Sequence, residues 1–379
     1  MMQAPGPVAL ITPRYPPAVG GVERHVEMLA RGLSRRGVRV QVVTTDPSGL
    51  LPPLAMQDGV LVRRFPTLRN DEVFFLSPQL GWWLMRNASR FALLHAHSYH
   101  TPLAFQASLA SMQSSTPFVV TPHYHGTGHS PFRRALHAPY RLGGGWLLRR
   151  ARQVICVSNA EREMLHHHFG PSLATSVVPN GVEIDLLRTP KVGARRPDRQ
   201  LVLAVGRLER YKQTERLVAA APFLPPTYEV VVVGEGPARA DLERVALETG
   251  GQGRLRLLGR VSHDELADLY GGAAVFVSLS QHESFGLTLL EAAVAGARIV
   301  ASDIPAHREV AGYLPAGSVT FVDLACTPAE LAQSVQRAAA APLPAGERNW
   351  SLPTWDDAVE GALACYRAAL DGHQLAKPA

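Results

Sequence analysis

At 379 residues, 46% of them hydrophobic and 18% charged, with mean hydropathy near zero, the chain can fill two ordinary cores, and its composition argues against disorder. Its three cysteines, Cys156, Cys326 and Cys365, form neither a C-x-x-C pair nor a disulfide-rich framework, which fits a reducing compartment. A formal charge of +6 favours anionic partners, which include nucleotides, anionic lipids and nucleic acid.

The first β-rich run, "VALIT" (8–12), lacks a charged segment ahead of it and is too short for a signal sequence or a membrane span. A cytoplasmic location is expected, with peripheral membrane association at most. Further strands are predicted at 38–44, 61–64, 92–97, 118–121, 153–157 and 175–179, with helices near 22–36, 78–90, 102–113, 132–151 and 159–169. The pattern then restarts, with strands at 201–206, 228–234, 255–259, 274–279, 297–302 and 319–323 and helices between them. Alternating helices and almost continuously apolar strands predict an α/β fold of doubly wound parallel sheets. Two such series predict two Rossmann-like domains, residues 1–186 and 187–355, joined through the polar stretch "LLRTPKVGARRPDRQ" (186–200). A last helical run falls in 356–379, apart from the second series. Open α/β sheets bind ligands at the carboxyl ends of their strands, so two such domains facing each other would enclose a cleft.

The strand ends hold the informative residues. "PAVGGVERHV" (17–26) places Gly20 and Gly21 before a helix; it is not the G-x-G-x-x-G fingerprint, and it reads either as a close approach to a phosphate or as a tight turn. "AVGRLERYKQTERLV" (204–218) follows a strand with Arg207 and Lys212. Of 38 basic residues only Lys191, Lys212 and Lys377 are lysines, so position 212 suits a need for a compact ammonium, or reflects chance. Two cations there would bracket a diphosphate, or would be solvated charges. "VVVGEGPARADL" (231–242) carries Gly234 and Gly236 in a loop that is either backbone-close or a plain turn.

In "HESFGLTLLEA" (282–292), Glu283 and Glu291 stand eight positions apart across a Phe-Gly break. On one continuous helix they would point about 80° apart. If Gly286 ends a loop and a helix starts at Leu287, its first amides face an anion, and Glu291 lies about 5.4 Å down the axis, roughly the step from a diphosphate to its ribose. The alternative is two solvated glutamates beside an ordinary helix start. "VVTPHYHGTGHS" (119–130) and "HAHSYH" (95–100) are histidine-rich, but no carboxylate or cysteine joins them at ligand spacing; a single histidine donating to substrate fits better than a metal set, and His123 is best placed.

In order along nearly the whole chain, "GGVERHV", "TPHYHG", "VSNAERE", "VPNGVE", "VGRLERYK", "VGEGP" and "HESFGLTLLEA" resemble the retaining, nucleotide-sugar-dependent glycosyltransferases of family 4. The resemblance implies the GT-B fold, with an N-terminal acceptor domain, a C-terminal donor domain and a last helix crossing back to the N-terminal domain. It implies that Arg207 and Lys212 bind the donor diphosphate with the amides of Gly286, Leu287 and Thr288. Glu291 would hold the ribose, Glu283 and His123 would touch the donor sugar, and Gly20 and Gly21 would close on the phosphates. The second histidine of "TPHYHG", His125, leaves open which of the two touches the sugar. No cofactor or metal is implied; a nucleotide diphosphate sugar is the co-substrate.

The expected activity is transfer of a hexose or N-acetylhexosamine from a UDP- or GDP-sugar to a hydroxyl of a sugar, lipid-linked or small-molecule acceptor, in glycan, glycolipid or secondary-metabolite synthesis. A nucleotide-sugar epimerase of GT-B-like fold is the alternative. Nucleic-acid binding is disfavoured, because the basic residues are dispersed and carry no recognition motif. The stretches 74–85 and 131–152, aromatic and basic, read either as a contact for an amphiphilic acceptor at an anionic membrane or as ordinary helix packing.

Overall fold

Strand β1 (Val8–Thr12) is buried at every position because sheet neighbours flank it and helices cover both faces, which is why its sequence does not alternate. In the computed structural model, residues 6–70, 74–126, 143–184, 187, 199–341 and 351–374 are described. They divide into two units, one comprising residues up to Asn180 together with Trp355 onward, the other Gly181–Thr354.

The first unit is built on a sheet ordered β3-β4-β2-β1-β5-β6-β7-β8. Its strands are β1, β2 (Val40–Asp46), β3 (Leu54–Gln57), β4 (Val60–Pro66), β5 (Leu93–His97), β6 (Phe118–Thr121), β7 (Gln153–Cys156) and β8 (Thr175–Val177). All pairings are parallel except β3 with β4. The strand β3 was missed: its sequence LAMQ follows two prolines and is only half-buried, the mark of an edge. Helix α1 (Gly21–Arg35) buries Val26, Leu29, Ala30 and Leu33, an i, i+3, i+4, i+7 stripe, against the sheet. Helices α2 (Pro78–Asn87) and α3 (Pro102–Ser114) follow, then α4 over 143–150 and α5 (Asn159–Phe169). Residues 132–142 of the predicted 132–151 helix lie outside the described residues.

The second unit's sheet is parallel throughout, in the order β11-β10-β9-β12-β13-β14. Its strands are β9 (Gln200–Val205), β10 (Tyr228–Val233), β11 (Leu255–Gly259), β12 (Ala273–Ser278), β13 (Arg298–Ser302) and β14 (Val319–Val322). Six helices of this unit matter below or complete its layers: α6 (Thr214–Ala220), α7 (Arg239–Thr249), α8 (His263–Gly272), α9 (Leu287–Val294), α10 (Pro305–Ala311) and α11 (Pro328–Ala340).

The last helix, α12 (Trp355–Gln374), packs on the first unit. Arg36 at the end of α1 bonds Asp356 at 3.1 Å and Glu360 at 2.7 Å, and the Tyr366 hydroxyl meets His95 Nδ1 at 2.7 Å in the core. The division between units falls at Asn180/Gly181, ahead of the 186/187 boundary drawn from composition. Asn180 Oδ1 lies 2.7 Å from His25 Nδ1, tying Asn180 to α1. Trp355, expected in the second domain, stacks edge-on against the same His25 ring at 6.0 Å and so belongs with the first unit. The linker segment 188–198 lies outside the described residues.

Candidate active site

In the second unit, the E-x7-E stretch is split between a loop and a helix. Gly286 caps α9 with φ 105° and ψ 42°, the left-handed region that glycine enters at little cost, and it offers no side chain to the first amides of the helix. Leu287 and Thr288 open the helix. Glu291, half-buried one turn on, accepts a hydrogen bond at 2.8 Å from the hydroxyl of the buried Tyr270 at the end of α8. The tyrosine fixes one carboxylate oxygen.

Glu283 sits on the loop before α9, and its Oε1 accepts from Lys212 Nζ at 2.5 Å and from Ser280 Oγ at 2.8 Å. The two charged side chains keep only 20% and 15% of their area exposed. Burial works against both charges, yet their mutual attraction wins: Lys212 is held above the usual lysine range, and Lys212 with Ser280 holds Glu283 below the usual carboxylate range. The pair is a committed ion pair at neutral pH. Beside it, a concavity at the carboxyl ends of β9 and β12 is lined by Gly206, Arg207, Lys212, Thr214, Ser278 and Ser280. Arg207 is 56% exposed and leans on Glu209 at 3.1 Å, so its guanidinium borders solvent.

Sequence reasoning missed His307, on α10. Its Nδ1–H donates to the Ser302 carbonyl at 2.9 Å, and a Cβ added at Gly286 would lie 3.5 Å from its ring. Burial lowers its pKa despite the nearby Glu283, so it is a neutral wall behind the Gly286 turn. No motif marks it; only the fold of α10 over the loop brings it there. Ser280 and Tyr270, likewise missed, support the two glutamates from the loop after β12 and from α8 with no motif of their own.

The first unit holds Gly20, Gly21 and His123. Gly20 is the N-cap of α1 with extended backbone, and a Cβ there would collide with the Glu23 side chain; a Cβ on Gly21 would meet nothing within 4 Å. Glu23 is buried at that helix start and ion-paired with Arg14 at 2.5 Å. A carboxylate and its counter-ion thus stand at the helix start that the sequence offered either as a close approach to a phosphate or as a tight turn.

His123 follows β6 with φ 48°, an uncommon conformation for a side-chain-bearing residue. It is held by Glu161 of α5, whose carboxylate accepts from the amides of Tyr124 at 2.5 Å and Val157 at 2.6 Å. Glu161 lies in "VSNAERE", three residues after the N-cap Ser158, whose Oγ accepts its amide at 2.9 Å. That spacing signals a helix start; the long-range grip on the His123 loop could not be read from it.

Around His123 the histidines separate into partnered and unpartnered. His95 is satisfied on both ring nitrogens, by Tyr366 and by Thr121 Oγ1 at 2.8 Å. His97, two residues on and on the same face of β5, has neither nitrogen bonded, and His25 Nε2 and His123 Nε2 are also unpartnered. His125 stacks with His100 at 4.9 Å instead of joining them. His129 lies outside the described residues. No helix among the described residues is long and apolar enough to cross a membrane.

The parallel sheets and the charged residues at their strand ends define a GT-B glycosyltransferase. Residues 19–186 match the model of Glycosyltransferase Family 4 and residues 188–338 that of Glycosyl transferases group 1. D-inositol 3-phosphate glycosyltransferase of Geodermatophilus obscurus is 30% identical over 399 residues, covering 93% of this chain and 85% of that protein. Sucrose-phosphate synthase from Thermosynechococcus elongatus superimposes with a TM-score of 0.75 at 23% identity over 98% of each chain. Anabaena Alr3699/HepE, solved in complex with UDP-glucose, does so with a TM-score of 0.70 at 19% identity over 97% of each. The chain belongs to glycosyltransferase family 4.

Proposed function

We propose that the enzyme transfers a hexose or N-acetylhexosamine from a UDP- or GDP-sugar to a hydroxyl acceptor, with retention of configuration and without a metal. The buried Lys212–Glu283 pair, set between the strand-end concavity and the Gly286 helix start, carries this reading. An ammonium has three donors, and Glu283 with Ser280 fixes the side chain so that the remaining ones are available to a diphosphate. Arg207 and the amides of Gly286, Leu287 and Thr288 would complete that anion site, and Glu291, steadied by Tyr270, would take the ribose hydroxyls. Glu283 has its second oxygen for a sugar hydroxyl. His123 keeps the role implied by its motif, a hydrogen bond to the donor sugar. At Gly20 and Gly21, a phosphate would share the helix start with the neutralised Glu23–Arg14 pair.

In the proposed step the bond from the anomeric carbon to the phosphate oxygen breaks, the acceptor oxygen bonds to the same face of that carbon, and the acceptor proton passes to the leaving phosphate. The protein's part is positioning and charge stabilisation. The reading is tested by a thermal-shift panel of UDP, GDP, ADP and dTDP with their sugars in EDTA. One nucleotide series at ~100 times its dissociation constant should add about 2.7 kcal/mol. Glu291→Ala should remove most of that shift, read against the variant's own unliganded melting temperature, because stranding the buried Tyr270 hydroxyl should itself cost about 1–3 kcal/mol. No shift from any nucleotide in folded protein would sink the proposal. Donor turnover that needs no acceptor and yields only a sugar isomer would favour the epimerase.

The acceptor we propose is amphiphilic, met at the cytoplasmic face of an anionic membrane. On α2, Trp82 is 60% exposed with the Arg86 guanidinium 3.9 Å from its ring centroid, next to the exposed Met85, a pairing of aromatic and cation suited to a lipid interface. Flotation with liposomes containing anionic lipid should carry the protein upward, and Trp82→Ala with Arg86→Ala should reduce it. Equal flotation with neutral liposomes, or none with either, would refute the contact.

A further inference from the structure

His25 comes from α1, His97 from the end of β5 and His123 from the loop after β6, and one ring nitrogen from each lies within 4.8 Å of the other two. All three side chains are more than nine-tenths buried. The rings crowd at centroid distances of 5.3, 4.9 and 5.9 Å. The unpartnered nitrogens are His25 Nε2, His123 Nε2 and both of His97, whereas the neighbouring His95 is fully bonded. Buried polar nitrogens without partners are costly and need a reason. We propose that His25, His97 and His123 bind a divalent first-row transition metal ion, zinc foremost, leaving a fourth position for water or a small anion.

The donor set selects the metal. Three imidazoles and no carboxylate suit zinc, cobalt, nickel or copper and exclude strong binding of magnesium and calcium, which take oxygen ligands. All three rings are buried away from solvent, where the neutral imidazole that a metal needs as ligand is the favoured form. Behind His25, Asn180 Oδ1 lies 2.7 Å from Nδ1 and would accept a hydrogen bond from Nδ1–H, fixing the tautomer that frees Nε2. Zinc–nitrogen bonds of about 2.0–2.1 Å put tetrahedral ligands ~3.4 Å apart, so nitrogens that now lie within 4.8 Å need to close in by at most about 1.4 Å. A bound ion would take the Nε2 lone pair of His123 and thereby inhibit sugar transfer. That consequence rests on the role proposed for His123; binding does not.

The test is a titration of the metal-stripped full chain with ZnCl2, followed by Co2+ spectroscopy. One equivalent should bind at this site, and Co2+ should give the intense visible bands of a tetrahedral ion. His97→Gln should abolish that equivalent, and Asn180→Ala should weaken it roughly tenfold. His167→Ala, at the exposed member of the three-histidine run of α5, should leave it intact. Because buried variants can misfold, the cobalt spectrum of the unaltered protein decides by itself: weak octahedral bands only, or an equivalent lost with His167, would overturn the site. Tight binding with undiminished transfer would uphold the metal site and remove His123 from the sugar contact.

Discussion

Lys212→Ala should lower kcat/KM for the donor by ~10²–10³-fold, the scale for removing one preorganised donor at a developing anion. It should also cost about 3 kcal/mol of stability, the low end for breaking a buried ion pair, because some of each side chain stays exposed. The stability loss comes from Glu283, left without its counter-ion beside Ser280 and the neutral His307. Replacing both partners, Lys212→Met with Glu283→Leu, should recover most of the stability and none of the activity. Urea unfolding and donor kinetics on the three proteins separate the two effects. A Lys212→Ala enzyme of unchanged stability and activity would show that the pair is neither buried nor used.

The pH dependence follows in sign. Glu283 titrates below the ordinary 4.5, so its contribution is present above 4.5 and is lost as pH falls through the lowered value. Lys212 titrates above the ordinary 10.5, so its contribution is present below 10.5 and is lost as pH rises through the raised value. In Lys212→Ala the stranded carboxylate gains by taking a proton, so the stability gap to wild type should narrow on the acid side of neutrality.

Gly234→Ala should be the most damaging change outside the charged groups. Gly234 has φ 135°, and a Cβ there would overlap the backbone carbonyl of Gly206. The two loops are laced together: Gly206 N donates to Val233 O at 3.0 Å, and Leu208 N to Glu235 O at 2.9 Å. Strain of ~1–3 kcal/mol and overpacking of ~1–3 kcal/mol together predict a loss of about 4 kcal/mol. The displaced segment carries Arg207, so donor affinity should fall with it. Gly253→Ala, where a Cβ meets nothing within 4 Å, is the control. Equal urea midpoints for the two variants would overturn the close-packing account.

The same glycine shows where the reading of residues stopped. "VGEGP" could be a backbone-close loop or a plain turn, and it is backbone-close, with Gly234 against the Gly206 carbonyl and Gly236 against the Leu208 backbone. The two glutamates of "HESFGLTLLEA" were legible as loop and helix because Gly286 breaks the period between them. Their supports were not: Tyr270 and His307 arrive from other helices, and Ser280, in the same loop as Glu283, belongs to no motif. The histidines are the sharpest case. "HAHSYH" and "TPHYHG" could be scanned for ligand spacing, yet the third ring of the cluster, His25, lies in "GGVERHV" on α1.

By itself the sequence determined the α/β class, the two series of strands, nearly every element and the order of motifs that marks the family. Those are local properties, written in hydrophobic period, glycine breaks and short runs of residues. The tertiary structure alone decided that Lys212 meets Glu283 across 71 positions, that Glu161 grips the backbone beside His123, and that Asn180 and Trp355 belong with α1. Such contacts join residues far apart along the chain, and nothing in either segment's own propensity encodes its partner. They exist only once the sheets have brought the strand ends to a common edge.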